Sequence, residues 1–297
     1  MTGPVEKPAA EVDVTPELVR SLLAEQHPDL ADRPLALLDA GWDNVMVRLG
    51  DDLLVRLPRR SLAAPLVLHE QRWLPELAPL LPLAIPAPVR VGRPSARFPW
   101  AWSVVPWFPG ASALTAAPDD LDATAALLGR FLVALHRPAP PDAPPNPYRG
   151  IPLAHRDERT RGWIAQLPDH VDGDRVRACW AEHVALPRWT GPPLWLHGDL
   201  HPHNLVVDHG RLHAVIDFGD ITAGDPATDL AIAWMLLPPA SRPVLRAATG
   251  VDDGTWDRGR GWALTLGLAY LANSASTPGF GQVGAATIEA VLEDWAI

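Results

Sequence analysis

The sequence predicts an α+β chain of two unequal lobes, a small antiparallel sheet followed by a mostly helical half, on three observations. Three short apolar runs, LALLDA, NVMVRLG and DDLLVRLP, succeed one another from Leu35, with Gly50, Asp51 and Asp52 at the last turn. Apolar residues then recur at helix spacing over 119–136 and through most of the chain after Asp225. A single apolar hairpin, 205–216, interrupts that second half.

Taken in order, residues 1 to about 15 are polar and proline-bearing, and Thr15 is the expected N-cap of a short helix over 16–25. The three strands follow. Leu66, Leu68, Trp73, Leu74 and Leu77 sit at helical spacing in 66–80, a helix carrying Glu70, although Pro75 and Pro79 threaten its second half. PAPVRVG and AWSVVPWF read as two more strands, and Pro106, Pro109 and Gly110 punctuate what comes next, so the lobes are set at 1–105 and 106–297. The helix over 119–136 stops at RPAPPDAPPNP, a stiff, extended and exposed connector. Two more helices are expected over 157–166 and 175–186.

Composition narrows the function classes. With 297 residues, 47% hydrophobic and 20% charged, the chain can bury a substantial core. A formal net charge of -10 argues against a nucleic-acid backbone as partner and favours a cationic small molecule. Cys179 is the single cysteine, which excludes an internal disulfide and fits a reducing compartment. No apolar run approaches the roughly 20 residues of a membrane span, and the N-terminal residues lack a signal pattern, so a cytoplasmic protein without a membrane partner is expected. Lys7 is the only lysine, and no GxxxxGK[ST] loop exists.

The chemistry concentrates in HGDLHPHN, from His197 to Asn204, and in IDFG, from Ile216 to Gly219. Phosphoryl transfer asks for a carboxylate to receive the acceptor's hydroxyl proton and for two oxygen ligands that hold Mg²⁺ on nucleotide phosphates. Asp199, Asn204 and Asp217 are such a set. An antiparallel hairpin turning at Asp208, His209 and Gly210 would return the chain so that Asn204 and Asp217 lie together at its open end. An Asn oxygen beside a carboxylate is a sensible half-cage for Mg²⁺, completed by nucleotide.

These strings resemble the aminoglycoside phosphotransferase family, small-molecule relatives of the protein kinases, with HGDxxxxN as catalytic loop and a metal aspartate on an IDxG-like turn. The protein-kinase motifs HRDxxxxN and DFG keep the same Asp, Asn, Asp order, with Gly198 here in place of Arg. The resemblance implies a protein-kinase-like two-lobe fold and an ATP- or GTP-dependent O-phosphotransferase. It makes Asp199 the catalytic base, Asn204 and Asp217 the Mg²⁺ ligands, and His197 an organiser of the loop. GDPATDLA also resembles the family. There Asp225 before Pro226 reads as a structural N-cap, and Asp229 in the first turns as a brace for the catalytic loop.

The nucleotide end departs from the kinase pattern, offering AGWDN and LLVR where GxGxxG and VAIK are wanted. In a kinase-like lobe Arg56 occupies the lysine position with Glu70 as its ion-pair partner, and Arg48 is the rival. Val105 falls where a lobe-connecting hinge would present backbone to the base. Acceptor-binding candidates are the acidic residues Asp157, Glu158, Asp169, Asp172, Asp174, Glu182, Glu289, Glu293 and Asp294. The favoured acceptor is a cationic, aminoglycoside-like antibiotic, with a macrolide, a peptide antibiotic or an amino-alcohol metabolite as alternatives. A competing class draws His197, Asp199, His201 and His203 together as ligands of a metal-dependent hydrolase.

Overall fold

The structure, a computed structural model, describes residues 9–274 and 279–295. Its chain divides into two compact units. Of the described residues, one gathers 9–109 together with Ala214–Gly219, and the other gathers Gly110–His213 and those from Asp220 onward.

The first unit opens with α1 (Pro16–Gln26), where the Thr15 side chain accepts from the Leu18 N–H as N-cap and Pro16 supplies a helix-ready φ. Five antiparallel strands follow in the order β1-β2-β3-β5-β4: β1 (Leu35–Ala40), β2 (Asn44–Leu49), β3 (Leu53–Pro58), β4 (Arg90–Gly92) and β5 (Trp102–Pro106). Period-2 patterning makes β2 legible, since Val45, Val47 and Leu49 point inward while their neighbours are half-buried. They join Leu22, Leu23, Val55, Leu57, Phe98, Trp102 and Val104 in one apolar core.

Helix α2 (Ala64–Leu77) runs straight through Pro75, where the sequence suggested an interruption, and a single 3₁₀ turn continues it to Leu80. An interior proline costs about 3 kcal/mol. Burial of Val67, Trp73, Leu74 and Leu77 along one face offsets that and holds the helix.

The second unit is helical: α3 (Leu121–Leu135), α4 (Asp157–Ile164), α5 (Gly173–Val184), α6 (Ala227–Leu230), α7 (Ile232–Leu236), α8 (Arg242–Thr249), α9 (Asp253–Ala272) and α10 (Phe280–Trp295). Helix α9 is buried nearly all round, and α10 packs on it at close range. A Cβ on Gly284 would lie 2.6 Å from the Gly267 carbonyl oxygen, so this approach requires glycine. Short strands carry the loops: β6 (Ala111–Ser112), β7 (Leu194–Leu196), β8 (Leu205–Asp208), β9 (Arg211–Val215) and β10 (Thr222–Gly224), with β6-β8-β9 in one sheet and β7 antiparallel to β10.

The proline connector is largely exposed, as expected, but it is tied down rather than free, with only Pro144 buried. It lies along β7, with Ala139 N–H donating to the Pro193 carbonyl and Trp195 N–H to that of Arg137, while the Thr222 hydroxyl holds the Pro144 carbonyl at 2.8 Å. Prolines lack donors but keep their acceptors, and the neighbouring strands supply the donors. Among the described residues no helix is long and apolar enough to cross a membrane. The lone Cys179 is buried in α5, and burial pushes its thiol up to about 12.

Candidate active site

In the helical unit, β7 delivers the chain into His197 and Gly198, and β10 brings Asp220 back beside them. Gly198 has φ +85, and a Cβ there would sit 2.4 Å from the Asp220 carbonyl oxygen. The arginine that protein kinases carry at this point would collide with backbone here. Gly198→Ala is expected to displace the adjoining Asp199 and lower kcat/KM roughly 10²-fold, read by steady-state phosphotransfer with a thermal melt as control. Wild-type turnover would mean the loop tolerates the shift.

Asp229, fully buried in α6, clamps the same loop. Its Oδ2 accepts from His197 N–H and its Oδ1 from Gly198 N–H, each at 2.9 Å, and His136 Nε2 lies 3.2 Å from Oδ2. Burial alone would raise its carboxyl, but His136, His197 and the Gly198 amide outweigh that and hold it below the ordinary range. This stabilisation is complete above the unfolded aspartate value of about 3.9 and is lost as pH falls through the lower folded value. Wild-type Tm should therefore fall more steeply on acidification from about pH 5 to about pH 3 than that of Asp229→Asn; parallel curves would contradict it.

His197 is wholly buried and its Nδ1 accepts from Asp199 N–H at 3.2 Å, so the ring organises the turn from inside. Asp199 gathers three partners. Arg149 Nη2 donates to Oδ1 at 2.8 Å, the Tyr270 hydroxyl donates to Oδ1 at 3.2 Å, and His201 Nε2 lies 3.2 Å from Oδ2. Burial opposes its ionisation, yet His201 and Arg149 hold the carboxyl far below the usual carboxylate range. Held ionised and with its side chain 25% exposed, Asp199 can accept a hydrogen bond from a hydroxyl and orient it, while so low a proton affinity makes it a weak base in the resting site.

Asn204 Nδ2 donates to the Asp199 carbonyl at 2.9 Å, which leaves Oδ1 as the amide atom for a cation. His201, His203, Tyr270 and Phe280 pack edge to face around this loop with ring centroids 4.9–5.7 Å apart. Asp225 accepts from Ala227 N–H and from Arg258 Nε and Nη2, so it ties the start of α6 to α9; the N-cap position itself falls on Pro226, one residue later than the sequence suggested, because the helix begins at Ala227.

Arg149, Tyr270 and Asn146, whose Nδ2 donates to Asp220 at 2.6 Å, had no sequence signal. Two lie in or just past the proline connector, fifty residues or more from their partners, and Tyr270 sits in a helix without an amphipathic pattern.

In the sheet unit, Arg56 Nη1 donates to Glu70 Oε1 at 2.8 Å with both side chains buried, joining β3 to α2. Burial raises the Glu70 carboxyl, Arg56 opposes, and Asp217 adds to the rise. Asp217 itself has φ +63, a side chain 59% exposed, and Arg56 Nη2 at 3.5 Å. The rival Arg48 is turned to its own β-turn, donating to the Gly50 and Asp51 carbonyls and stacking over Trp107 at 4.1 Å. Val105 is buried opposite Leu54, and the β4 register ends at Val104, so the strand edge at Val105 lacks a β4 partner.

Asn204 thus belongs to the helical unit and Asp217 to the sheet unit, on either flank of the β8–β9 hairpin. Each by itself presents a hard oxygen donor, an amide oxygen on Asn204 and an exposed carboxylate on Asp217, of the kind Mg²⁺ prefers. The hydrolase alternative finds no such support. Among the described residues no group of three or more His, Cys, Asp or Glu side chains could hold a metal ion, and the His197 ring is spent on the loop's own N–H.

The family model described as "Phosphotransferase enzyme family" matches residues 34–262. The chain belongs to that phosphotransferase family. An aminoglycoside 3'-phosphotransferase of Escherichia coli is 30% identical over 162 residues, covering 52% of this chain and 60% of that relative. One from Salmonella typhimurium is 29% identical over the same length. Among solved structures, the GDP and kanamycin complex of APH(2")-IIia superposes with a TM-score of 0.68 at 21% identity, covering 94% of this chain and 98% of that one. The macrolide 2'-phosphotransferase MphH of Brachybacterium faecium gives 0.60 at 22%, covering 91% and 97%. The α+β fold is accordingly the kinase-like one of these enzymes.

Proposed function

We propose that this chain transfers the γ-phosphate of ATP or GTP to a hydroxyl of a small molecule, with an aminoglycoside-like antibiotic as acceptor. The observation that carries the reading is the Asp199 carboxylate, held ionised in a loop pinned by Asp229 and flanked by Asn204. Asp199 receives the hydroxyl proton as the oxygen attacks the γ-phosphorus and the bond to the β–γ bridging oxygen breaks, releasing the nucleoside diphosphate. Arg149 and Tyr270 both donate to Oδ1 while Oδ2 has His201 alone, at 3.2 Å, so Oδ2 is the oxygen with more room to accept from the hydroxyl. Bound Mg²⁺, with Asn204 and Asp217 as ligands, would neutralise phosphate charge. Arg56, steadied by Glu70, supplies a fixed cation for the nucleotide phosphates, and the Val105 edge offers backbone to the base. The single cysteine fits a cytoplasmic enzyme.

Support for the acceptor comes from the relatives: three solved neighbours are complexes with kanamycin, streptomycin and gentamicin. A second reading, an acceptor of lower positive charge such as a macrolide, is favoured by the commitments of five of the nine acidic candidates. Asp157 is taken by Arg161 and Trp180, Asp172 caps α5, Asp174 pairs with Arg177, Glu182 accepts from Trp295, and Asp294 holds Arg242 and Trp234. Incubation with Mg²⁺, each nucleotide and a panel of aminoglycosides, macrolides, peptide antibiotics and amino alcohols, read by mass spectrometry for one added phosphate, tests both. No product with any acceptor would refute the reading.

A further inference from the structure

Arg156 is 4% exposed and closes the 3₁₀ turn Leu153–Arg156 that follows Arg149 along the chain. Among the described residues it has no hydrogen-bond acceptor and no carboxylate partner, and its nearest favourable neighbour is the Trp163 ring, 5.7 Å from the guanidinium carbon. Asp157, next in sequence, is committed to Arg161 and Trp180. Its charged neighbours are instead Arg149 and Arg159, and burial with these two cations lowers the Arg156 guanidinium to about 10. Arg149 shares the condition in part, because its Nη2 serves Asp199 while its buried Nε has no partner.

A desolvated guanidinium costs folding free energy unless an anion meets it. Elsewhere in this unit buried arginines are satisfied in that way: Arg258 by Asp225 and Arg242 by Asp294. Arg156 departs from that rule, and its neighbour Arg149 reaches Asp199 at 2.8 Å and Asp220 at 4.0 Å. We propose that Arg156, with the free edge of Arg149, forms an oxyanion subsite next to Asp199 that takes carboxylate or phosphate oxygens. This rests on the phosphotransferase reading and extends it. The oxyanion belongs either to the acceptor or to the phosphate in transfer, and the geometry of a guanidinium fork suits both.

The test uses inorganic phosphate as probe on the full chain, by calorimetric titration and by thermal melts at constant ionic strength against chloride. Wild type should bind phosphate and melt higher in it. Binding should weaken about tenfold in Arg156→Lys and disappear in Arg156→Met. Arg156→Met should also melt above wild type when only chloride is present, because an uncompensated buried charge is gone. Repeating the titration with saturating Mg²⁺ and a non-hydrolysable ATP or GTP analogue separates the sources. Arg156-dependent binding that survives assigns the subsite to the acceptor, and binding that is lost assigns it to the transferred phosphate. Phosphate binding that is absent in wild type, or undiminished in both variants, overturns the proposal. If Arg156→Met does not fold, Arg156→Lys alone decides. The acceptor panel is read separately, so its failure would refute phosphotransfer and leave this binding result standing.

Discussion

Asp199→Asn is expected to lower kcat by about 10²–10⁴-fold, the usual contribution of a general base, with nucleotide binding largely retained. The amide keeps the shape of the side chain and can still meet Tyr270, but it cannot take a proton. It also strips Arg149 of its 2.8 Å counter-ion, leaving Asp220 at 4.0 Å as the remaining carboxylate, so stability should fall as well. The two consequences separate in the double variant Asp199→Asn with Arg149→Met, which removes the orphaned cation. Melting temperature should recover there while turnover stays low. Recovery of turnover together with stability would show that Asp199 serves as an ion-pair partner and not as the base.

That experiment turns on Arg149, and the reason it had to be seen in three dimensions is instructive. The Asp199, Asn204 and Asp217 order could be read from the chain because the motif is local, and Arg56 with Glu70 because one strand and the next helix set their spacing. Strands β1, β2 and β3 were legible through turns and period-2 burial. Arg149 touches Asp199 across fifty positions, through a connector whose composition announces stiffness and nothing of its destination. β10, three residues Thr222–Gly224, has no apolar alternation at all, yet its pairing with β7 places Asp220 under Gly198. Pro75 misled in the other direction, since a propensity worth a few kcal/mol yields to a fully buried helix face. The acidic residues show a related limit, because charge counted along the sequence does not reveal that Asp157 and Asp294 are spent on arginine and tryptophan donors.

Asp225→Ala should produce the largest stability loss, about 3–5 kcal/mol in urea titration, against the 5–15 kcal/mol that a folded domain typically holds. The carboxylate is 3% exposed and receives Arg258 Nε at 2.7 Å and Nη2 at 3.3 Å, along with the Ala227 N–H at 3.0 Å. Truncation leaves the guanidinium buried with only the Thr255 hydroxyl at 3.0 Å and the Pro187 carbonyl at 3.5 Å, neither of which carries charge. Replacing both partners, Asp225→Ala with Arg258→Met, should recover most of the loss, since an apolar pair needs no counter-charge. A single-variant cost near zero would mean that water reaches the pair. Activity should fall with stability in the single variant, for a local reason: Asp225 starts the helix on which Asp229, one turn later, holds the His197 and Gly198 amides. Freeing the start of α6 loosens that grip and lets Asp199 drift from its place, so the double variant should regain fold before it regains turnover.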